Sequence, residues 1–74
     1  MMMCHAGIDL HATNSVLVVI DDADRVLYQK RLRNDLPLIL AALEPYRVAV
    51  QGVAVESTYN WYWLVDGLMD AGYR

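Results

Sequence analysis

The apolar run Val16-Leu17-Val18-Val19-Ile20 constrains the fold most, because four of its five residues are β-branched and none is polar. Such side chains fit a pleated strand better than a helix. The run does not alternate, which is how a strand covered on both faces reads, so it is expected at the centre of a sheet. Polar breaks flank it. Ala12-Thr13-Asn14-Ser15 suits a tight turn before it, and Asp21-Asp22-Ala23-Asp24 supplies side chains that bond their own backbone after it. A first strand is predicted over residues 4–10 and a third over 25–32. In the third, Val26, Tyr28, Lys30 and Leu32 share one side, and Arg25, Leu27, Gln29 and Arg31 the other. A mixed face with cations marks an edge strand guarded by charge. Three strands joined by short turns form an antiparallel meander.

Beyond the meander the period changes. Asn34 or Asp35 can cap a helix, Pro37 is tolerated in its first turn, and Leu36, Ile39, Leu40 and Leu43 recur at helical spacing up to a break at Pro45. Residues 48–55 read as a fourth strand with a bulge or close backbone approach at Gln51-Gly52. Trp61, Leu64, Val65, Leu68 and Met69 then form a helical stripe, with Tyr62, Asp66 and Asp70 opposite and Ala71-Gly72 as the stop. A strand that returns after a helix pairs parallel through a right-handed crossover. Docking beside the first strand gives the order 3-2-1-4. The expected architecture is α/β: one domain over residues 1–74, a mixed sheet with strands 1–3 antiparallel and strand 4 parallel to strand 1, and two helices.

Composition bounds the function. With 57 % hydrophobic and 20 % charged residues the chain is built to pack a core, yet 74 residues is near the size at which one core is marginal. A net charge of −3 lacks the basic surplus of a self-sufficient nucleic-acid binder. The single cysteine, Cys4, cannot form an internal disulfide, fits a reducing compartment and reads as a buried thiol. Met1-Met2-Met3 lacks the basic start of a signal peptide, and no apolar run approaches the roughly 18 residues that span a bilayer. The expectation is a cytoplasmic protein with no membrane partner.

Chemistry concentrates on two acids. Asp9 interrupts the apolar segment Ala6-Gly7-Ile8-Asp9-Leu10-His11, and a buried lone carboxylate requires a metal, a partner charge or water. Glu56 follows the fourth apolar run. In the order 3-2-1-4 the C-terminal ends of strands one and four adjoin, and neighbours about 4.8 Å apart bring the carboxyl groups within about 5 to 6 Å. Such a pair suits magnesium or manganese. Capping of the following helix is the competing role for Glu56. His11, two residues on from Asp9, points to the same face if the strand persists, where it either assists a metal or phosphate or stands exposed. Ser57 and Thr58 read as helix caps rather than nucleophiles, for want of a nearby base. In Tyr59-Asn60-Trp61-Tyr62-Trp63 the stripe assigns Trp61 to the core, while Tyr62 and Trp63 fit packing or a protein interface ahead of base stacking. Arg25, Lys30, Arg31 and Arg33 read as a solvated edge ahead of phosphate contacts.

Gly7-Ile8-Asp9-Leu10-His11, the strand from Ser15 to Asp21, and above all Val55-Glu56-Ser57-Thr58-Tyr59-Asn60-Trp61-Tyr62-Trp63-Leu64 resemble the N-terminal domain of the insertion sequence 110 family of transposases, over nearly the whole chain. The resemblance implies a ribonuclease H-like, RuvC-like fold whose Asp-Glu-Asp-Asp acids bind magnesium, with Asp9 matching the first acid and Glu56 the second. The other two acids are implied beyond a further strand, past Arg74, and Asp66 and Asp70 on the second helix do not fill those places. The family also has a C-terminal domain with a catalytic serine, and acts on DNA with an element-encoded structured RNA that guides the choice of target and donor. This chain has neither that domain nor that serine. The resemblance therefore implies the metal-binding N-terminal part of a DNA transposase, a homo-oligomer inactive in recombination alone. The alternative is a non-catalytic remnant or interaction module that pairs through Tyr62, Trp63 and an open sheet edge. More distantly, Gly7-Ile8-Asp9-Leu10 with Thr13-Asn14-Ser15-Val16 is similar to the first phosphate loop of the actin-like ATPases, the seventy-kilodalton heat-shock chaperones among them, with His11-Ala12 in place of the loop glycine.

Overall fold

The computed structural model describes residues 3–57 and 61–73. Strands β1 (Cys4–Leu10), β2 (Asn14–Asp21) and β3 (Val26–Arg33) form the antiparallel meander, and β4 (Val50–Ser57) lies parallel to β1. The sheet order is β3-β2-β1-β4, as the element order requires. Helix α1 (Leu36–Leu43) precedes β4, and α2 (Tyr62–Asp70) follows it.

Helix α1 starts where its sequence says it should. Asp35 has extended backbone and its carboxylate accepts the Leu38 N–H at 3.3 Å. Pro45 does not end the helical course: it sits in the first turn of a 3₁₀ segment, Glu44–Tyr46, that continues α1. A proline there removes a backbone donor that has no partner within the turn, so the chain tightens instead of breaking.

Helix α2 stops at a Schellman motif. Gly72 takes φ +97°, its N–H bonds the Met69 carbonyl at 3.0 Å, and the Tyr73 N–H bonds the Leu68 carbonyl at 2.9 Å. The motif turns Tyr73 inward, where it is buried beneath the Arg47 guanidinium, 5.2 Å from the ring centroid.

Both helices contribute to one core. Cys4, Ala6, Ile8, Leu10, Leu17, Val19 and Leu32 of the sheet meet Ile39, Leu43, Leu64, Leu68 and Tyr73. The unalternating run in β2 is therefore covered on one face only. Ser15, Leu17, Val19 and Asp21 are buried, while Val16, Val18 and Ile20 on the other face are half-buried. Flanking strands shield these side chains laterally, and apolar character alone does not distinguish that shielding from a covering layer.

The buried Asp21 organises the β2–β3 turn. Its carboxylate accepts the Ala23 N–H at 2.8 Å, the Arg25 N–H at 3.0 Å and the Arg25 guanidinium at 2.9 Å, while Asp24 takes φ 62° to close the turn. The Arg25 backbone donor leads in holding this carboxyl below its ordinary range, aided by the Ala23 N–H and the Arg25 side chain and opposed by desolvation. A depressed carboxyl stabilises the fold fully above the unfolded pKa of about 3.9, and the contribution fades as pH falls through the lower folded value. Urea unfolding is expected to show wild type above Asp21→Asn at pH 6, with the gap shrinking below about pH 4. A gap that widens in acid would contradict this assignment.

Candidate functional site

Strand register places the two acids side by side. Asp9 pairs with Glu56 across the parallel β1–β4 ladder, and with Val16 across the antiparallel β1–β2 ladder. Register partners share a face, so both carboxylates project from the sheet face opposite the helices. Gly7, Ile8, Asp9, Val16, Val18 and Glu56 line an open depression of about 320 Å³ there. Gly7 deepens it, since a Cβ at this position would meet nothing within 4 Å.

The pairing depends on an irregularity in β4. Cys4 pairs with Val50 but Ala6 pairs with Val53, so one extra β4 residue is accommodated between them, at Gln51-Gly52. Val50, Val53 and Val55 all pack against the core despite their uneven spacing.

Asp9 is not the buried acid its apolar flanks suggest. Its side chain is 58 % exposed, because β1 alternates and only one of its faces is covered. Its partner is His11, whose Nε2 lies 3.2 Å from Asp9 Oδ2, just past the end of the strand and also exposed. Glu56 is exposed and belongs to β4, upstream of the Trp61 N-cap position of α2, so it does not cap that helix. Thr58, Tyr59 and Asn60 of the second motif lie outside the described residues. Ser57 ends β4.

Of the aromatic assignments, the core role of Trp61 is overturned and the packing role of Trp63 holds. Helix α2 begins at Tyr62, which leaves Trp61 at the N-cap position and 38 % exposed, while Trp63 is half-buried against the core. Tyr62 is exposed, its ring 4.4 Å from that of Trp61. Asp66 and Asp70 are exposed on α2 and take no part in the acid pair.

Sequence reasoning missed the far side of the same face. Val16 pairs with Arg31 and Asn14 with Arg33, so these arginines share the open face with Asp9 and Glu56. Asn14 Oδ1 accepts an Arg31 N–H at 2.7 Å. Alternation counted outward from the β2–β3 turn would misplace them, because Ile20 pairs with Val26 but Val19 with Tyr28, and the extra β3 residue between them inverts the count. Lys30, their neighbour in β3, pairs with Leu17 and belongs to the other face.

Among the described residues, no three His, Cys, Asp or Glu side chains converge on a point that could hold a metal. Two carboxylates fit magnesium, which is held by one or two carboxylates and keeps several waters. They do not fit structural zinc, which takes four protein ligands. No described helix is long and apolar enough to cross a membrane. Comparison of the chain with protein-family models, curated proteins and solved structures finds no match.

Proposed function

We propose that this chain carries the first two metal-binding acids of a ribonuclease H-like, RuvC-like DNA transposase domain, with Asp9 and Glu56 addressing a magnesium-bound DNA phosphodiester. The observation that carries the reading is the Asp9–Glu56 register pair on the open face, at the C-terminal ends of parallel neighbours. The sheet order and the crossover through α1 agree with this reading, and the actin-like ATPases share that order. A bound magnesium would neutralise charge on phosphoryl oxygens. Asp9 and Glu56 supply its anionic ligands, and His11 steadies the Asp9 carboxylate from the side. The actin-like reading gains nothing from the turn after β1: the His11 N–H is taken by the Asn14 carbonyl at 2.9 Å and is withheld from a phosphate.

Substoichiometric Mn²⁺ added to the ¹⁵N-labelled chain tests the pair. Paramagnetic broadening is expected first at the amides of residues 9–11 and 55–57, and is expected to vanish in both Asp9→Asn and Glu56→Gln. Broadening centred elsewhere, or unchanged in both variants, would leave the domain as a non-catalytic interaction module. The β4 edge favours that second reading, since its described residues carry no Lys, Arg or Pro to deter another strand.

A further inference from the structure

The open face is electrically divided. One row across the sheet runs Arg31, Val16, Asp9, Glu56, from the β3 edge to the β4 edge. The adjacent row adds Arg33 beside Asn14. Cations therefore stand on one side of the apolar floor formed by Gly7, Val16 and Val18, and carboxylates on the other. Two strand spacings separate Arg31 from Asp9, about 10 Å at the backbone. Asn14 occupies one Arg31 donor and orients the guanidinium, whose remaining N–H groups can still receive an anion.

We propose that this face carries a single nucleic-acid strand, with Arg31 and Arg33 holding backbone phosphates to one side of the phosphodiester presented to Asp9 and Glu56. The inference rests on the carboxylate reading above and adds the direction in which the substrate lies. The chain as a whole carries a net charge of −3, so attraction to phosphate has to be local, and the arginine pair supplies it opposite the acids. The apolar floor between them offers sugars and bases a surface that does not repel them. Guanidinium groups suit this role because their planar donors match phosphate oxygens.

Fluorescence anisotropy of labelled single-stranded DNA and RNA oligonucleotides with Mg²⁺ tests the track in the wild-type chain, the double variant Arg31→Gln/Arg33→Gln, and Lys30→Gln. Lys30 is the decisive control, because its loss changes charge on the same strand but on the opposite face. The double variant is expected to lower the slope of log affinity against log salt by about 1.4, at roughly 0.7 per phosphate contact on a single strand. Lys30→Gln is expected to leave it unchanged, and the tighter of the two oligonucleotides identifies the strand type. No binding by wild type, or equal losses in Lys30→Gln and the double variant, overturns the inference. Mn²⁺ broadening in the double variant is expected to stay at its wild-type level. The carboxylate pair and the arginine track can therefore fail separately.

Discussion

Replacing Gly67 by leucine is expected to destabilise the domain by about 1–3 kcal/mol through overpacking between the two helices. Gly67 lies mid-way along α2, where glycine weakens a helix and demands a packing reason. The reason is Leu36 of α1. A Cβ on Gly67 would lie 2.7 Å from Leu36 Cδ1 and 3.1 Å from its Cγ, closer than van der Waals contact allows. Alanine is tolerable, since the half-buried Leu36 tip can rotate and the helix gains up to about 1 kcal/mol in propensity. Leucine has no such escape. Its branch occupies the volume of the Leu36 side chain, so α2 shifts or α1 does. Leu36→Ala vacates that volume, and the double variant Leu36→Ala/Gly67→Leu is expected to recover part of the loss, with a coupling of about 0.5–3 kcal/mol. Urea midpoints of the two single variants and the double variant measure it. Strict additivity would show that the helices do not meet there.

Leu64→Ala is expected to cost about 2–5 kcal/mol. At about 0.05–0.15 kcal/mol per residue, 74 residues are worth about 4–11 kcal/mol in all, so this variant spends a large share of the stability. Leu64 is fully buried at the centre of the layer that α2 lays on the sheet. Met69 belongs to the same sequence stripe but is 63 % exposed, and Met69→Ala is expected to stay within about 0.5 kcal/mol of wild type. Thermal melts of the two variants decide between a stripe buried throughout and one buried only at Leu64 and Leu68. Equal losses would favour the former.

That contrast shows how far the sequence reads. Strand order followed from the succession of elements, because short turns make a meander and a helix returns the chain parallel. The Asp35 cap and the Gly72 stop followed from local chemistry that needs no tertiary partner. What failed were inferences about which layer covers which face. Val16, Val18 and Ile20 are as apolar as Leu17 and Val19, so residue type could not show that only one set lies under helices. The supposed burial of Asp9 rested on the same ambiguity. Trp61 lost its expected core place because a helix starting at Tyr62 puts Trp61 outside its first turn, a boundary that hydrophobic spacing does not resolve. The acid pair was legible, since strand order, strand ends and the bulge signalled by Gln51-Gly52 together bring it about. The arginines were not, since they needed the register of two hairpins counted together.

The extra residue in β4 carries a consequence for the acids. Pairing continued from Cys4–Val50 without it would set Asp9 against Val55 and Glu56 against Leu10, whose side chain faces the core. The two carboxylates would then lie on opposite sides of the sheet. The irregularity acts as a phase shifter: it inverts the odd–even sense of β4 just after Val50, so that Val50 before it and Val53 and Val55 after it all face the core while Glu56 meets the open side. Chemistry at one end of the strand is thus set by a miscount at the other, some four residues away from either acid in β4 numbering.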